Sequence, residues 1–225
     1  MKASKKYNNS LKMVEEDRAY SIKEAVGILK NMPKAKFDET VEFAAKLDVD
    51  AKQTEQMVRG SVVLPNGIGK VVRVLVFCEP EKESEATEAG ADYIGTQETV
   101  DKIMNGWFEF DCCISTPGMM RIVSKVGRVL GPRGLMPSPK TDTVTENVGY
   151  AVKEAKRGKI DFRMDKTGCV HVGIGKISFT EDALSENVQS FVDALVAARP
   201  SSTKGEYLKN YFLSTTMSPS VKVRL

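Results

Sequence analysis

Apolar and polar side chains alternate strictly over residues 41–49, the pattern of a strand with one buried face. Ahead of this strand, Ser21 and Glu24 have the spacing of a capping box. An apolar stripe follows them and predicts a helix that stops before Pro33. A second strand is expected over residues 58–64, where a Pro-Asn-Gly turn ends it.

The pattern changes in the middle of the chain. Residues 71–77 are almost entirely apolar, as expected for a strand covered on both faces. Helical and strand patterns then alternate, with helices predicted over 81–89, 98–105, 119–129 and 146–157 and strands over 92–94 and 112–115. This alternation favours a small doubly wound α/β unit.

Hairpin-like patterns return after Gly158. Alternating residues 160–164, a turn at 165–168 and a second strand at 170–174 predict two paired strands. A helix is expected over 180–198, followed by extended segments from Tyr211 onward. Since similar patterns bracket the α/β middle, we predict that residues 1–67 and 159–225 fold together around an inserted domain of residues 68–158. The hinge is expected at Gly67, Gly69 and Gly158.

Composition narrows the function classes. The 225 residues are 28% charged, with no apolar run of membrane-spanning length and no secretory pattern near Met1, so we expect a cytoplasmic protein without a membrane partner. The four cysteines show no metal-ligand spacing and are expected as buried free thiols. His171 is the only histidine, which removes most zinc sites and the commonest general base. We therefore expect no metal and no cofactor.

Charge is segregated along the sequence. Residues 79–111 hold ten acidic side chains against two basic ones, whereas residues 112–141 hold no acidic side chain. The basic segment contributes a set of five cations, Arg121, Lys125, Arg128, Arg133 and Lys140. A local cationic field of this kind indicates phosphate contact, with a merely solvated surface as the alternative.

A nucleotide-binding enzyme built on the middle domain is a competing hypothesis. Its pyrophosphate would need a glycine-rich turn and a helix N-terminus after the strand at 71–77. That turn instead contains Glu79, Pro80 and Glu81, whose carboxylates repel phosphate. The Gly-x-Gly-Lys strings at 67–70 and 173–176 do not lie between a strand and a helix in the required order.

Three other segments have residue types that suit RNA contact. Residues 36–42 and 163–168 mix cations, apolar side chains, hydroxyls and carboxylates, and residues 214–218 offer hydroxyls and the apolar Met217. RNA recognition uses this mixture, because cations hold phosphate, aromatic rings pack on bases or riboses, and hydroxyls bond the 2′-OH. Each segment alone is a weak signal, and an ordinary loop beside a core residue is the alternative.

The chain resembles the bacterial large-subunit ribosomal protein L-one family over essentially its full length. The matching segments occur in order at residues 36–42 (KFDETVE), 58–60 (VRG), 64–70 (LPNGIGK), 89–93 (AGADY), 127–137 (GRVLGPRGLMP), 162–163 (FR), 165–168 (DKTG) and 215–217 (TTM). The resemblance implies an α/β protein of two domains: an α+β split-βαβ domain from both chain ends and an inserted Rossmann-like α/β domain. It implies a non-catalytic protein of the mobile ribosomal stalk.

The resemblance also implies partners and site residues. The partners would be large-subunit ribosomal RNA, exit-site tRNA whose release the protein assists, and its own operon mRNA, which it represses as a free monomer. Repression of mRNA off the ribosome is a separate alternative. The RNA-binding residues carried over are Lys36, Phe37, Thr40, Glu42, Arg163, Asp165, Lys166, Thr167, Thr215, Thr216 and Met217. The five cations of the basic segment would make a secondary RNA contact.

Some positions depart from the family pattern. Ser218 stands where the family usually has glycine, which affects how closely the backbone can approach RNA. Met57 and Asn66 replace a usual Asn and His, and Asp142 replaces a usual Gly beside the basic segment.

Overall fold

A computed structural model of the chain describes residues 4–15, 18–50, 53, 56–201, 203 and 205–224, so Met1 lies outside the described residues. The chain forms two compact units. The first unit consists of Met1–Gly69 and Ile160–Leu225, and the second of Lys70–Lys159. The second unit is therefore inserted in the sequence of the first.

The described residues contain eight α-helices and nine strands. The helices are α1 (Lys5–Leu11), α2 (Ile22–Asn31), α3 (Glu83–Glu88), α4 (Gln97–Met104), α5 (Met120–Val123), α6 (Gly127–Leu130), α7 (Val148–Arg157) and α8 (Glu181–Ala197). The strands are β1 (Thr40–Leu47), β2 (Arg59–Val63), β3 (Val74–Phe77), β4 (Tyr93–Ile94), β5 (Cys112–Ser115), β6 (Lys159–Arg163), β7 (Cys169–Lys176), β8 (Leu208–Thr215) and β9 (Val221–Val223). The fold class is mixed α/β.

A four-stranded sheet in the order β7-β1-β8-β9 organises the first unit. Strand β1 pairs antiparallel with β7 on one side and with β8 on the other, so β7 and β8 run parallel to each other. Helix α8 connects these two strands. Strands β7 and β8 with α8 therefore form a βαβ unit that is split by β1.

One face of this sheet forms the core of the first unit. Alternate residues of β1 are buried together with side chains of α2 and α8. Phe191 of α8 meets Phe43 of β1 edge-on with ring centroids 5.5 Å apart, and it meets Phe162 of β6 at 5.4 Å. The predicted capping box of α2 is confirmed, because Ser21 and Glu24 exchange both hydrogen bonds.

The predicted hairpin of residues 160–174 was wrong in its pairing. The turn at 165–168 forms, but β6 pairs with β2 in a separate two-stranded sheet while β7 joins β1. The backbone N–H of Met164 donates to the carbonyl of Val58, which continues the β2–β6 pairing past the strand. Alternation predicted both strands correctly, but it carries no information about which neighbour each strand selects.

The second unit has a three-stranded parallel sheet in the order β4-β3-β5. All four residues of β3 are buried, as expected for a strand covered on both faces. One face packs against α3 and α7, and the other packs against α4, α5 and α6. The strand was predicted too long, since it begins at Val74 and Val71 is 86% exposed.

The single helix predicted over 119–129 was also wrong. The segment consists of α5, a 3-10 turn over Ser124–Val126, and α6. The Ser124 hydroxyl donates to the Met120 carbonyl at 2.7 Å and so competes with the backbone hydrogen bonds of the helix. Gly127 adds a residue of low helix propensity. The apolar spacing survives the break, because Val123, Val126 and Leu130 are all buried.

Candidate RNA-binding surface

The loop ahead of β1 and the turn after β8 lie side by side, because β1 and β8 are antiparallel neighbours. Each presents an apolar side chain to solvent: Phe37 is 54% exposed and Met217 is 63% exposed. Lys36 is exposed next to Phe37. Large apolar side chains left exposed beside a cation have the composition of a base- or ribose-packing site.

Glu39 holds these two loops together. Its side chain is buried, and its carboxylate accepts hydrogen bonds from the Ala35 N–H at 2.6 Å, the Thr215 hydroxyl at 2.5 Å and the Met217 N–H at 3.3 Å. Burial by itself raises the pKa of Glu39, but the three hydrogen bonds outweigh burial and lower the pKa below its usual value. The carboxylate is therefore charged at neutral pH and fixes both loops.

The two other threonines at this end are also engaged. The Thr216 hydroxyl accepts from the backbone N–H of Thr40 at 3.1 Å, and the Lys176 ammonium donates to the Thr40 hydroxyl at 2.8 Å. Thr215 is buried and donates to Glu39, so its hydroxyl orders the loops instead of facing solvent. These bonds, like those of Glu39 to Thr215 and Met217, link residues that are far apart in the sequence.

Ser218 closes the turn after β8. Its hydroxyl accepts from the Thr215 N–H at 2.8 Å and donates to the Pro219 carbonyl at 2.9 Å. Among the described non-glycine residues only Asp142 has a positive φ, so the backbone at Ser218 does not require glycine. The departure from the family pattern at this position is therefore compatible with an ordered turn.

A second cluster surrounds the turn between β6 and β7. The Asp165 carboxylate accepts from the backbone N–H groups of Thr167 and Cys169, both at 2.8 Å, and from the Thr167 hydroxyl at 2.7 Å. The hydrogen bond from Cys169, followed by those from Thr167, lowers the pKa of Asp165 below its ordinary value. Asp165 thus builds the turn, while Arg163 and Lys166 are left exposed.

The two clusters lie at opposite ends of β1. Thr40 at the start of β1 is opposite Lys176 of β7. At the other end of β1, the backbone N–H of Leu47 donates to the carbonyl of Gly168 in the turn between β6 and β7, at 2.9 Å. Eight residues of strand separate them by about 23 Å at ~3.3 Å per residue. The sequence signals alone did not indicate this separation.

The open face of the sheet bridges the two clusters. Every second residue of β1 points away from the core and is flanked in register by residues of β7 and β8. The open face consists of Glu42, Ala44 and Lys46 of β1, Cys169, His171 and Gly173 of β7, and Asn210, Phe212 and Ser214 of β8. Of these only Glu42 was predicted. The same alternation that predicted the strand could have identified the others, because positions between the buried residues face the opposite side.

The second unit carries its own basic surface. Arg121, Lys125 and Arg128 recur three and four residues apart, on the side of the broken helix away from its buried residues, and all three are exposed. Arg133 stacks over Phe108 with its guanidinium carbon 3.5 Å from the ring centroid. Lys140 is exposed as well. The five predicted cations are therefore all exposed, although Arg133 is held against an aromatic ring.

The cysteines only partly match their prediction. Cys78 and Cys113 are buried, and burial raises the pKa of both thiols. Cys112 and Cys169 are half-buried instead of buried. All four are free thiols, as predicted.

The geometry of the first unit, with an open sheet face between clusters of basic, apolar and hydroxyl side chains, is typical of RNA-binding α/β proteins. The chain belongs to the ribosomal protein L1p/L10e family, whose model matches residues 29–219. It is also 54% identical to the large ribosomal subunit protein uL1 of Persephonella marina, over 99% of this chain and 93% of that protein. It is a ribosomal protein and not an enzyme. No helix among the described residues is long and apolar enough to cross a membrane.

Proposed function

We propose that the protein is a component of the large ribosomal subunit that binds ribosomal RNA across the open sheet face of its first unit. The surface is built by the residues of the two clusters with Glu42 between them, some of which contact RNA while others order the loops: Lys36, Phe37, Thr40, Glu42, Arg163, Asp165, Lys166, Thr167, Thr215, Thr216 and Met217. The observation that carries this proposal is the exposed pair Phe37 and Met217, held in place by a buried carboxylate.

The roles within this surface differ. Phe37 and Met217 pack against bases or riboses, while Lys36, Arg163 and Lys166 hold phosphates. Glu39, Thr215 and Asp165 order the loops that present these groups. An RNA that contacts both clusters spans about 23 Å, the length of β1, so a folded RNA fits better than a few nucleotides.

The second unit makes a secondary contact with RNA through Arg121, Lys125, Arg128, Arg133 and Lys140. The two units are separate domains, an α+β domain and a Rossmann-like domain, joined at a hinge. Gly67, Gly69 and Gly158 are its glycines, and their positive φ angles of 66°, 69° and 106° disfavour other residues there. A hinge would let the second domain move while the first stays on the RNA.

On the ribosome, in the cytoplasm, the protein assists the release of deacylated tRNA from the exit site. Off the ribosome, as a monomer, it represses its own operon mRNA through an RNA structure that mimics the ribosomal site. Support for both roles comes from the family, and the proposed surface serves either RNA because it reads shape and backbone.

Footprinting on a ribosomal RNA fragment tests the surface. We expect a defined protected region, a dissociation constant that rises steeply with salt, and weaker protection with Phe37→Ala and Lys166→Ala. A matched control is Glu206→Gln, an exposed position outside the proposed surface. Protection that is unchanged in both variants refutes the assigned residues. Co-sedimentation with large subunits separates a ribosomal role from repression of mRNA alone.

A further inference from the structure

Three possible metal ligands converge at one end of the open face. A carboxylate oxygen of Asp165, the Cys169 sulfur and an imidazole nitrogen of His171 all lie within 4.8 Å of one another. These residues match no short metal-binding motif, so no metal ligand set was expected from the sequence. Folding brings them together.

Local structure accounts for this convergence. Cys169 and His171 are two residues apart on β7, so strand geometry points both side chains to the same face. The turn between β6 and β7 places Asp165 beside Cys169, where the backbone N–H of Asp165 donates to the Cys169 carbonyl at 2.8 Å. The three side chains are thus anchored at one end of β7 and its turn.

The three groups still have lone pairs to donate. Within the described part of the chain, neither the Cys169 thiol nor the His171 imidazole has a hydrogen-bond partner. Asp165 Oδ1 is occupied by the turn, but Oδ2 accepts only from the Thr167 hydroxyl, which also reaches Oδ1. Oδ2 therefore keeps acceptor capacity toward the cluster.

We propose that Asp165, Cys169 and His171 form a binding site for a thiophilic divalent cation of the Zn²⁺ type, with the fourth position open to water. Thiolate, imidazole and carboxylate are the three zinc ligand types of proteins. A tetrahedral site with bonds of about 2.0–2.3 Å needs ligand atoms roughly 3.4–3.6 Å apart. Because the ligand atoms lie within 4.8 Å of one another, the side chains need to close by at most about 1.4 Å, which rotamer adjustment supplies since Asp165 and His171 are exposed.

The test is a Co²⁺ titration of the full chain under a non-chelating reductant, followed by absorption spectroscopy. We expect a thiolate-to-cobalt charge-transfer band that Zn²⁺ abolishes by displacement. Cys169→Ala should remove the band, and His171→Asn should weaken binding more than about tenfold. The buried thiols Cys78 and Cys113 do not compete for the metal.

Glu42→Gln is the matched control, since it removes an exposed carboxylate on the same face outside the cluster. It should leave the Co²⁺ spectrum and affinity unchanged. If Cys169→Ala fails to fold by circular dichroism, Cys169→Ser removes the soft ligand with less change in shape.

A wild-type spectrum without the band overturns the proposal, as does a band that persists in both Cys169 variants. If Cys169→Ala loses Co²⁺ binding while His171→Asn binds as tightly as wild type, the cation is held by the thiol alone, and the three-ligand assignment is overturned. The titration contains no RNA, so its outcome is independent of the proposed RNA-binding surface.

Discussion

Glu39 offers a direct test of how the RNA-binding surface is held. Its side chain is only 3% exposed, and all three of its hydrogen-bond partners are donors. Glu39→Gln keeps the size but replaces one acceptor oxygen with an NH₂ donor. In either orientation of the amide, the N–H of Ala35 or that of Met217 faces this new donor and loses its acceptor.

The cost follows from the number of bonds lost. One hydrogen bond to a charged acceptor contributes about 1.5–3 kcal/mol, so the free energy of unfolding should fall by about 2 kcal/mol. If the loss instead opens the loops within the folded protein, RNA affinity falls by at most about 30-fold, since ~1.4 kcal/mol is a factor of ten.

The pH dependence distinguishes the charge from the shape of Glu39. Its pKa is lowered from 4.5, so its stabilising contribution is complete above that value and is lost as the pH falls through the lowered pKa. The stability difference between wild type and Glu39→Gln should be constant from neutral pH down to about pH 5 and shrink below it. Urea denaturation of both proteins at several pH values measures this stability difference. Filter binding measures the RNA affinity of the same two proteins.

Glu42→Gln supplies the control, because it makes the same chemical change at an exposed position of β1, the strand that begins directly after Glu39. Its free energy of unfolding should stay within about 0.5 kcal/mol of wild type. The reasoning is refuted if Glu39→Gln matches wild type in both stability and RNA affinity at neutral pH. A stability deficit that persists unchanged in acid would also contradict a charged clamp.

Three further predictions concern single side chains. Phe37→Ala should leave the melting temperature nearly unchanged, because the ring is 54% exposed. It should cost about 1–3 kcal/mol of RNA affinity in filter binding. Arg128→Gln should reduce the slope of log affinity against log salt by about 0.7–0.9 without changing stability, and an unchanged slope would remove Arg128 from the secondary contact. Burial alone would raise the pKa of Asp111, but bonds from Lys70 at 2.6 Å and Arg73 at 3.2 Å lower it to about 2. Asp111→Asn should therefore cost roughly 1–2 kcal/mol of unfolding free energy at pH 7, a deficit that disappears as the pH falls from 3.8 toward 2, and urea denaturation measures it.

Elements with strong local signals were predictable. The capping box and apolar stripe of α2 and the alternation of β1 place both elements to within one or two residues. The helix predicted over 119–129 failed because two local effects, the Ser124 hydroxyl bond and Gly127, break it without changing the apolar spacing. Periodicity reports which side chains are buried, and this segment buries the expected ones.

The sequence by itself determined the types of most elements, the membership of the family and the chemical character of the binding segments, because each of these depends on residue types and short spacings. Tertiary structure decided where those segments meet. Glu39 was only one carboxylate in a mixed string until strand pairing brought Thr215 and Met217 to it across 176 and 178 residues.

The open face and the Asp165, Cys169 and His171 cluster were likewise decided by folding. Strand alternation indicates that a residue faces away from the core, but not which strands lie beside it. Pairing of β1 with both β7 and β8 places the predicted clusters about 23 Å apart at the two ends of one surface. Hydrogen bonds between strands set that arrangement, and they link residues that no local pattern connects.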